Sequence, residues 1–150
     1  MTVRRGPHDD LPTSMRGFDR MVISGSRTSC LDDFPWVGKL EKLIREGVDL
    51  GTPVLGVCYG HQVLARAMGD GRKSVRRGSV PEFGWTEIRR TADSPLFTGL
   101  PQTFHSFSSH FEEVADLPKG FRKLAESRDC AIQAMQFGDR KSTRLNSSHT

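Results

Sequence analysis

Apolar positions fall into short blocks, and their spacing changes from block to block. Residues 53–57 form a continuous apolar run, the pattern of a strand buried on both faces. Beyond it, Val63, Leu64, Ala67 and Met68 recur at helical spacing and Gly69 suits a helix end, which predicts a helix over residues 60–68. An earlier apolar strand is predicted over residues 19–24, stopping at Gly25. Between the two strands, Trp36, Val37, Leu40, Leu43 and Ile44 mark one buried face of a helix. Asp32 and Asp33 complement its positive end, Pro35 is tolerated in its first turn, and Gly47 is expected to end it. Strand, crossover helix, strand, helix is the order of an α/β fold, with a mostly parallel sheet covered by helices on both faces.

The rest of the pattern is weaker. Residues 2–5 read as the end of a short strand and residues 6–12 as loop. The polar, Gly-rich stretch 70–78 reads as a mobile surface loop without the spacing of a phosphate-binding loop. Residues 82–88 alternate as a strand does, residues 96–101 turn, and residues 131–137 form a further strand.

Composition narrows this picture. The chain has 150 residues, enough for one domain with its own core. Its net charge is +4, and the basic residues are scattered (Arg4-Arg5, Arg76-Arg77, Arg89-Arg90) rather than striped along a face. That is a solvated surface, and no nucleic-acid partner is expected. Cys30, Cys58 and Cys130 are far apart and odd in number, without the paired spacing of a zinc site or a disulfide framework. A reducing cytoplasm fits them. No apolar stretch approaches membrane-spanning length and no signal-peptide core is present, so no membrane association is expected. His105 and His110 are five apart, a poor metal pair on helix or strand. His105 reads as structural, and neither a metal nor a cofactor is expected.

Cys58 lies between the predicted strand and helix, flanked by Gly56 and Gly60. Small residues two positions either side let a strand turn sharply into a helix, leaving the middle side chain strained and exposed. A thiol there sits at a helix N-terminus, whose dipole favours thiolate. The N–H of Tyr59 is available to an oxyanion. A nucleophile and a buried structural cysteine remain equal readings on this evidence.

His61 and Gln62 extend the pattern to G-x-C-x-G-x-Q. The run GVCYGHQVLARAMG closely resembles the nucleophile elbow of class I glutamine amidotransferases. The resemblance implies a flavodoxin-like fold. It also implies that Cys58 attacks the side-chain amide of glutamine, forms a glutamyl thioester and releases ammonia, with Gly56 and Gly60 as the elbow glycines. The other half of the oxyanion hole falls by resemblance on Gly25 and Ser26, beside Tyr59. The segment Ser24-Gly25-Ser26-Arg27 is similar to the subgroup that resembles the amidotransferase domain of GMP synthase. Gln62, Ser109 and His110 are implied at the bound glutamine. Gly78 to Gly84, with Glu82 as its acid, matches a family segment, and residues 112–127 are expected to follow the family order of short helix, turn and strand. The ammonia would pass to a synthetase partner.

The resemblance also implies parts outside this pattern. A strand and helix precede the first predicted strand in the family, and a motif like H-P-E, carrying the base and its orienting acid, follows the last. Asp139 to His149 instead reads DRKSTRLNSSH, the residue-for-residue translation of a DNA adapter used in sequencing. Residues 1–138 are therefore expected to be a partial amidotransferase domain, and residues 139–150 a disordered translation artefact. With the His and Glu of the triad missing, this chain is expected to be inactive. Two alternatives accompany this reading. One is a γ-glutamyl peptidase or hydrolase sharing the elbow, and the other a non-catalytic, degenerate subunit.

Overall fold

The computed structural model describes residues 1–138, together with the backbone of Leu145–Ser147. Its elements are β1 (Met21–Ile23), α1 (Pro35–Asp49), β2 (Val54–Gly56), α2 (Tyr59–Met68), β3 (Val75–Arg90), β4 (Thr103–Val114), β5 (Phe121–Glu126), β6 (Ala134–Phe137) and β7 (Leu145–Ser147). The strand-helix-strand-helix run from β1 to α2 is the predicted one. The rest of segment 139–150 lies outside the described residues, and β7 pairs antiparallel with β6.

The α/β class holds, but the sheet is parallel in one place only among the described strands. β1 and β2 run parallel, with Val22 opposite Leu55. The larger sheet, in the order β4-β3-β5-β6-β7, is antiparallel. Parallel pairing needs a crossover, and α1 supplies it between β1 and β2. Among the described residues the later strands are joined without a crossover helix.

The main core lies where α1 and α2 meet β1, β2 and β6. Ile23, Val37, Ile44, Val54, Val63, Leu64 and Met135 are all buried there. Full burial of each large apolar side chain stabilises by about 1.5–3 kcal/mol. A second cluster, Ile88, Phe97, Leu124, Ala125 and Ala134, sits under the antiparallel sheet.

Four local expectations are corrected. Helix α1 does not end at Gly47 but continues to Asp49, because Val48 is buried and Gly47 fits between Val54 and Met15; the turn falls to Gly51, at φ +76°. Asp32 and Asp33 stand outside the first turn of that helix: Phe34 occupies the cap without a side-chain bond, and Asp33 pairs with Arg66. Residues 75–78 are not loop. They begin β3, whose register against β4 shifts between Arg77 and Glu82, around Pro81. Proline cannot donate to a ladder and is accommodated at such an irregularity. Residues 112–114 form no helix but complete β4, with Glu112 opposite Arg77. The β3–β4 ribbon exposes Phe83, Trp85, Phe107 and Phe111 on its outer face, where they pair edge to face. No helix of the described residues is long and apolar enough to cross a membrane.

Candidate active site

Cys58 occupies the cap position of α2 with φ 54° and ψ −108°, a backbone state that L-residues rarely hold. The turn is locked on both sides. Val57 N–H donates to Ile23 O at 2.9 Å, and Gln62 N–H donates to Cys58 O at 3.1 Å. A Cβ on Gly60 would lie 2.1 Å from Ile23 O, and one on Gly56 would lie 2.4 Å from Gly60 O. Both glycines are therefore required by the close approach of β1, β2 and the elbow.

The electrostatics differ from the sequence reading in one respect. Burial pushes the Cys58 thiol above its ordinary value, the Tyr59 N–H directed at it pulls the other way, and Glu112 adds to the rise. The helix N-terminus does not win against desolvation here, because a half-buried sulfur loses more hydration than one N–H returns. Cys30 and Cys130 are pushed further, each to about 12, chiefly by burial. Cys58 is half-buried, whereas the other two thiols are enclosed.

Gly25, Ser26 and Tyr59 line one cavity of about 390 Å³ together with Trp36, and Cys58 is not among the residues that line it. Ser26 Oγ accepts from Thr28 N–H and holds that loop. Gln62 is buried, and its side-chain N–H donates to Glu112 O at 2.8 Å, tying α2 to β4. His110 faces inward across the ribbon from Glu82, with Nδ1 donating to Glu112 O at 3.1 Å. Ser109 stands on the opposite, exposed side of β4, beside Phe107 and Phe111, and is not brought to Cys58. His61 is buried with a ring nitrogen 3.3 Å from Ile132 O.

Two residues at the site escape a reading of the sequence. Glu112 bears on the Cys58 thiol, and its carboxylate accepts from Ser29 Oγ at 2.7 Å. Strand alternation from His110 would have placed it on the inner face, but an expected helix hid it. Arg66 is buried in α2 and gathers Cys30 O, Asp32 O, Asp33 and Glu41. Nothing local distinguishes it from a solvated helix arginine.

The position of Glu112 makes a prediction. Glu112→Gln removes a negative charge near the sulfur while keeping an acceptor for Ser29, so the thiol loses its proton at lower pH. The rate of iodoacetamide alkylation at Cys58, followed across pH by mass spectrometry, is expected to rise earlier than in the parent chain. An unchanged or later rise would show that Glu112 does not act on the sulfur.

The family profile described as Glutamine amidotransferase class-I matches residues 2–143. A glutamine-hydrolyzing GMP synthase of Caldicellulosiruptor saccharolyticus is 42% identical over 93 residues, which are 62% of this chain and 17% of that protein. A subunit of the glutamine-hydrolyzing GMP synthase of Archaeoglobus fulgidus is 35% identical over 122 residues, 81% of this chain and 61% of that one. The chain thus spans less than two thirds of either relative. The crystal structure of a glutamine amido transferase from Methylobacillus flagellatus superposes with a TM-score of 0.81 and 30% identity, over 91% of this chain and 54% of that one.

Proposed function

The chain belongs to the class I glutamine amidotransferase family, and on that premise we propose that it carries the glutamine-cleaving half-site of a GMP synthase. The observation that supports this reading is Cys58 held at φ 54° on the elbow between β2 and α2. In the proposed step the Cys58 sulfur bonds to the side-chain carbonyl carbon of glutamine. The C–N bond breaks, and ammonia leaves carrying the thiol proton. Water then cleaves the thioester to glutamate. Tyr59 N–H, with Gly25 and Ser26 across the cavity, would receive the developing oxyanion. His110, Gln62 and Glu112 would frame the substrate from β4 and α2. A synthetase partner in the cytoplasm would take up the ammonia.

The same reading holds that this 150-residue chain does not turn glutamine over. Among the described residues, the influences on the thiol are burial, Tyr59 N–H and Glu112, and no imidazole is among them. A cysteine nucleophile without its base keeps its proton near neutral pH.

The test is covalent labelling with an electrophilic glutamine analogue, mapped by mass spectrometry, beside an ammonia-release assay. Label on Cys58 that glutamine competes away more strongly than a γ-glutamyl peptide does, with no ammonia above the Cys58→Ser level, is the expected result. Label that glutamine does not displace would overturn the substrate assignment. Robust ammonia release lost in Cys58→Ser would overturn the inactivity.

A further inference from the structure

Three side chains from separate parts of the chain converge beneath the β3–β4 ribbon. Glu82 lies on β3, His110 lies directly opposite on β4, and Cys130 lies in the turn ahead of β6. One ligand atom of each falls within 4.8 Å of the other two. Glu82 is 6% exposed, Cys130 3% and the His110 side chain 9%. From this convergence and the buried Nε2 of His110, which lies beside Glu82 without an aligned hydrogen-bond partner, we propose that Glu82, His110 and Cys130 form a site for one thiophilic divalent cation, zinc in the first place.

His110 Nδ1 faces a backbone carbonyl, Glu112 O, at 3.1 Å, so Nδ1 must be the donor. A metal-binding histidine characteristically spends its other N–H this way, which fixes the tautomer and aims the second nitrogen. That second nitrogen, Nε2, lies 3.0 Å from a Glu82 oxygen, yet it is buried and out of line for a hydrogen bond. A cation seated between them would give this buried nitrogen the aligned partner that it lacks.

Glu82 is also prepared as a ligand. Ser127 Oγ donates to one of its oxygens and the Gln133 amide to the other, which sets the carboxylate plane. A cavity of about 10 Å³ borders His110, Cys130 and Glu113, though not Glu82. Mixed carboxylate, imidazole and thiol donors suit zinc, with the fourth position left to water or Glu113. Glu82 and a Cys130 thiolate together neutralise a dication.

Binding exchanges a proton for the metal. The Cys130 S–H bond breaks, sulfur bonds to the cation, and the proton passes to water. Because the thiol must give up this proton to bind, affinity falls as pH falls. The bound ion would fasten β4 to the turn ahead of β6 and thereby fix Glu112 beside Cys58. His110 is shared with the proposed glutamine site, but the test below reads metal binding and needs no glutamine cleavage.

Cobalt(II) titration of the metal-free full chain tests it. One equivalent is expected to bind with the intense sulfur-to-cobalt absorption and the visible bands of a tetrahedral centre, releasing one proton, and zinc should displace it. His110→Asn and Glu82→Gln retain the thiol and should weaken binding by at least about tenfold. Cys58→Ser should bind as the parent does, and Cys130→Ser should lose the sulfur band. Should Cys130→Ser fail to fold, the His110 and Glu82 variants decide. Absence of the sulfur band, its loss in Cys58→Ser, or undiminished affinity in both His110→Asn and Glu82→Gln would overturn the site.

Discussion

Gly60→Ala is expected to remove about 4 kcal/mol or more of stability, the range reserved for steric conflict inside a locked core. The new Cβ would lie 2.1 Å from Ile23 O, 2.8 Å from Ile23 C and 2.9 Å from Ile23 Cβ. None of these atoms is the free end of a flexible chain. Ile23 O is held by Val57 N–H at 2.9 Å, in the bond that closes the elbow against β1. Relief therefore requires β1 and β2 to part, or α2 to lift from both. Against a total of roughly 5–15 kcal/mol for a domain, such a loss leaves little folded protein. Gly56→Ala meets Gly60 O at 2.4 Å and should behave alike. Gly38→Ala is the control. It lies on the exposed side of α1 with nothing within 4 Å of the added methyl, so it should gain about 0.5–1 kcal/mol from helix propensity. Urea denaturation followed by circular dichroism measures all three. A Gly60→Ala midpoint close to that of the parent would show that the elbow does not bind β1 to α2 as described.

Arg66→Met should cost about 3–5 kcal/mol, the usual penalty for breaking a buried ion pair from one side. The methionine stem keeps most of the packing. The loss comes from the partners left behind. Glu41, 13% exposed, forfeits a contact of 2.8 Å, and Cys30 O forfeits a donor at 2.6 Å. Arg66 links α2 to α1 through Glu41 and to the loop ahead of α1 through Cys30 O and Asp32 O. Its removal should therefore loosen that loop as well as lower the melting temperature. Adding Glu41→Leu to Arg66→Met should recover part of the loss, since no largely buried carboxylate then stands without its 2.8 Å partner. A double-mutant cycle reads this as coupling between the two residues. Additive losses would mean that Arg66 acts through its backbone acceptors alone.

The elbow is the most legible feature of the chain because it is local. A strand-forming run, two glycines around Cys58 and a helical stripe after it require no distant partner to be recognised. Helix α1 is read from the same kind of evidence, although its end is not. Gly47 looks like a terminus, yet Val54 and Met15 receive it inside the core and the helix runs on. Asp33 looks like a charge complement to the start of α1, but Arg66 from another helix claims it. The start of β3 shows a related limit. A ribbon exposed on one side, with Pro81 at a register shift, carries too little apolar alternation to be distinguished from loop.

By itself, the amino-acid sequence determined the β-α-β-α frame, the place of Cys58 on its turn and the resemblance to the amidotransferase family. These depend on spacings of a few residues, which the backbone converts directly into geometry. The tertiary structure alone decided that the larger sheet is antiparallel, that Ser109 faces outward, that Glu112 raises the affinity of the Cys58 sulfur for its proton, and that Glu82, His110 and Cys130 meet. The physical reason is the distance along the chain. Residues 28 and 20 positions apart acquire a common environment only when strand register and burial bring them together, and neither is a property of any short segment.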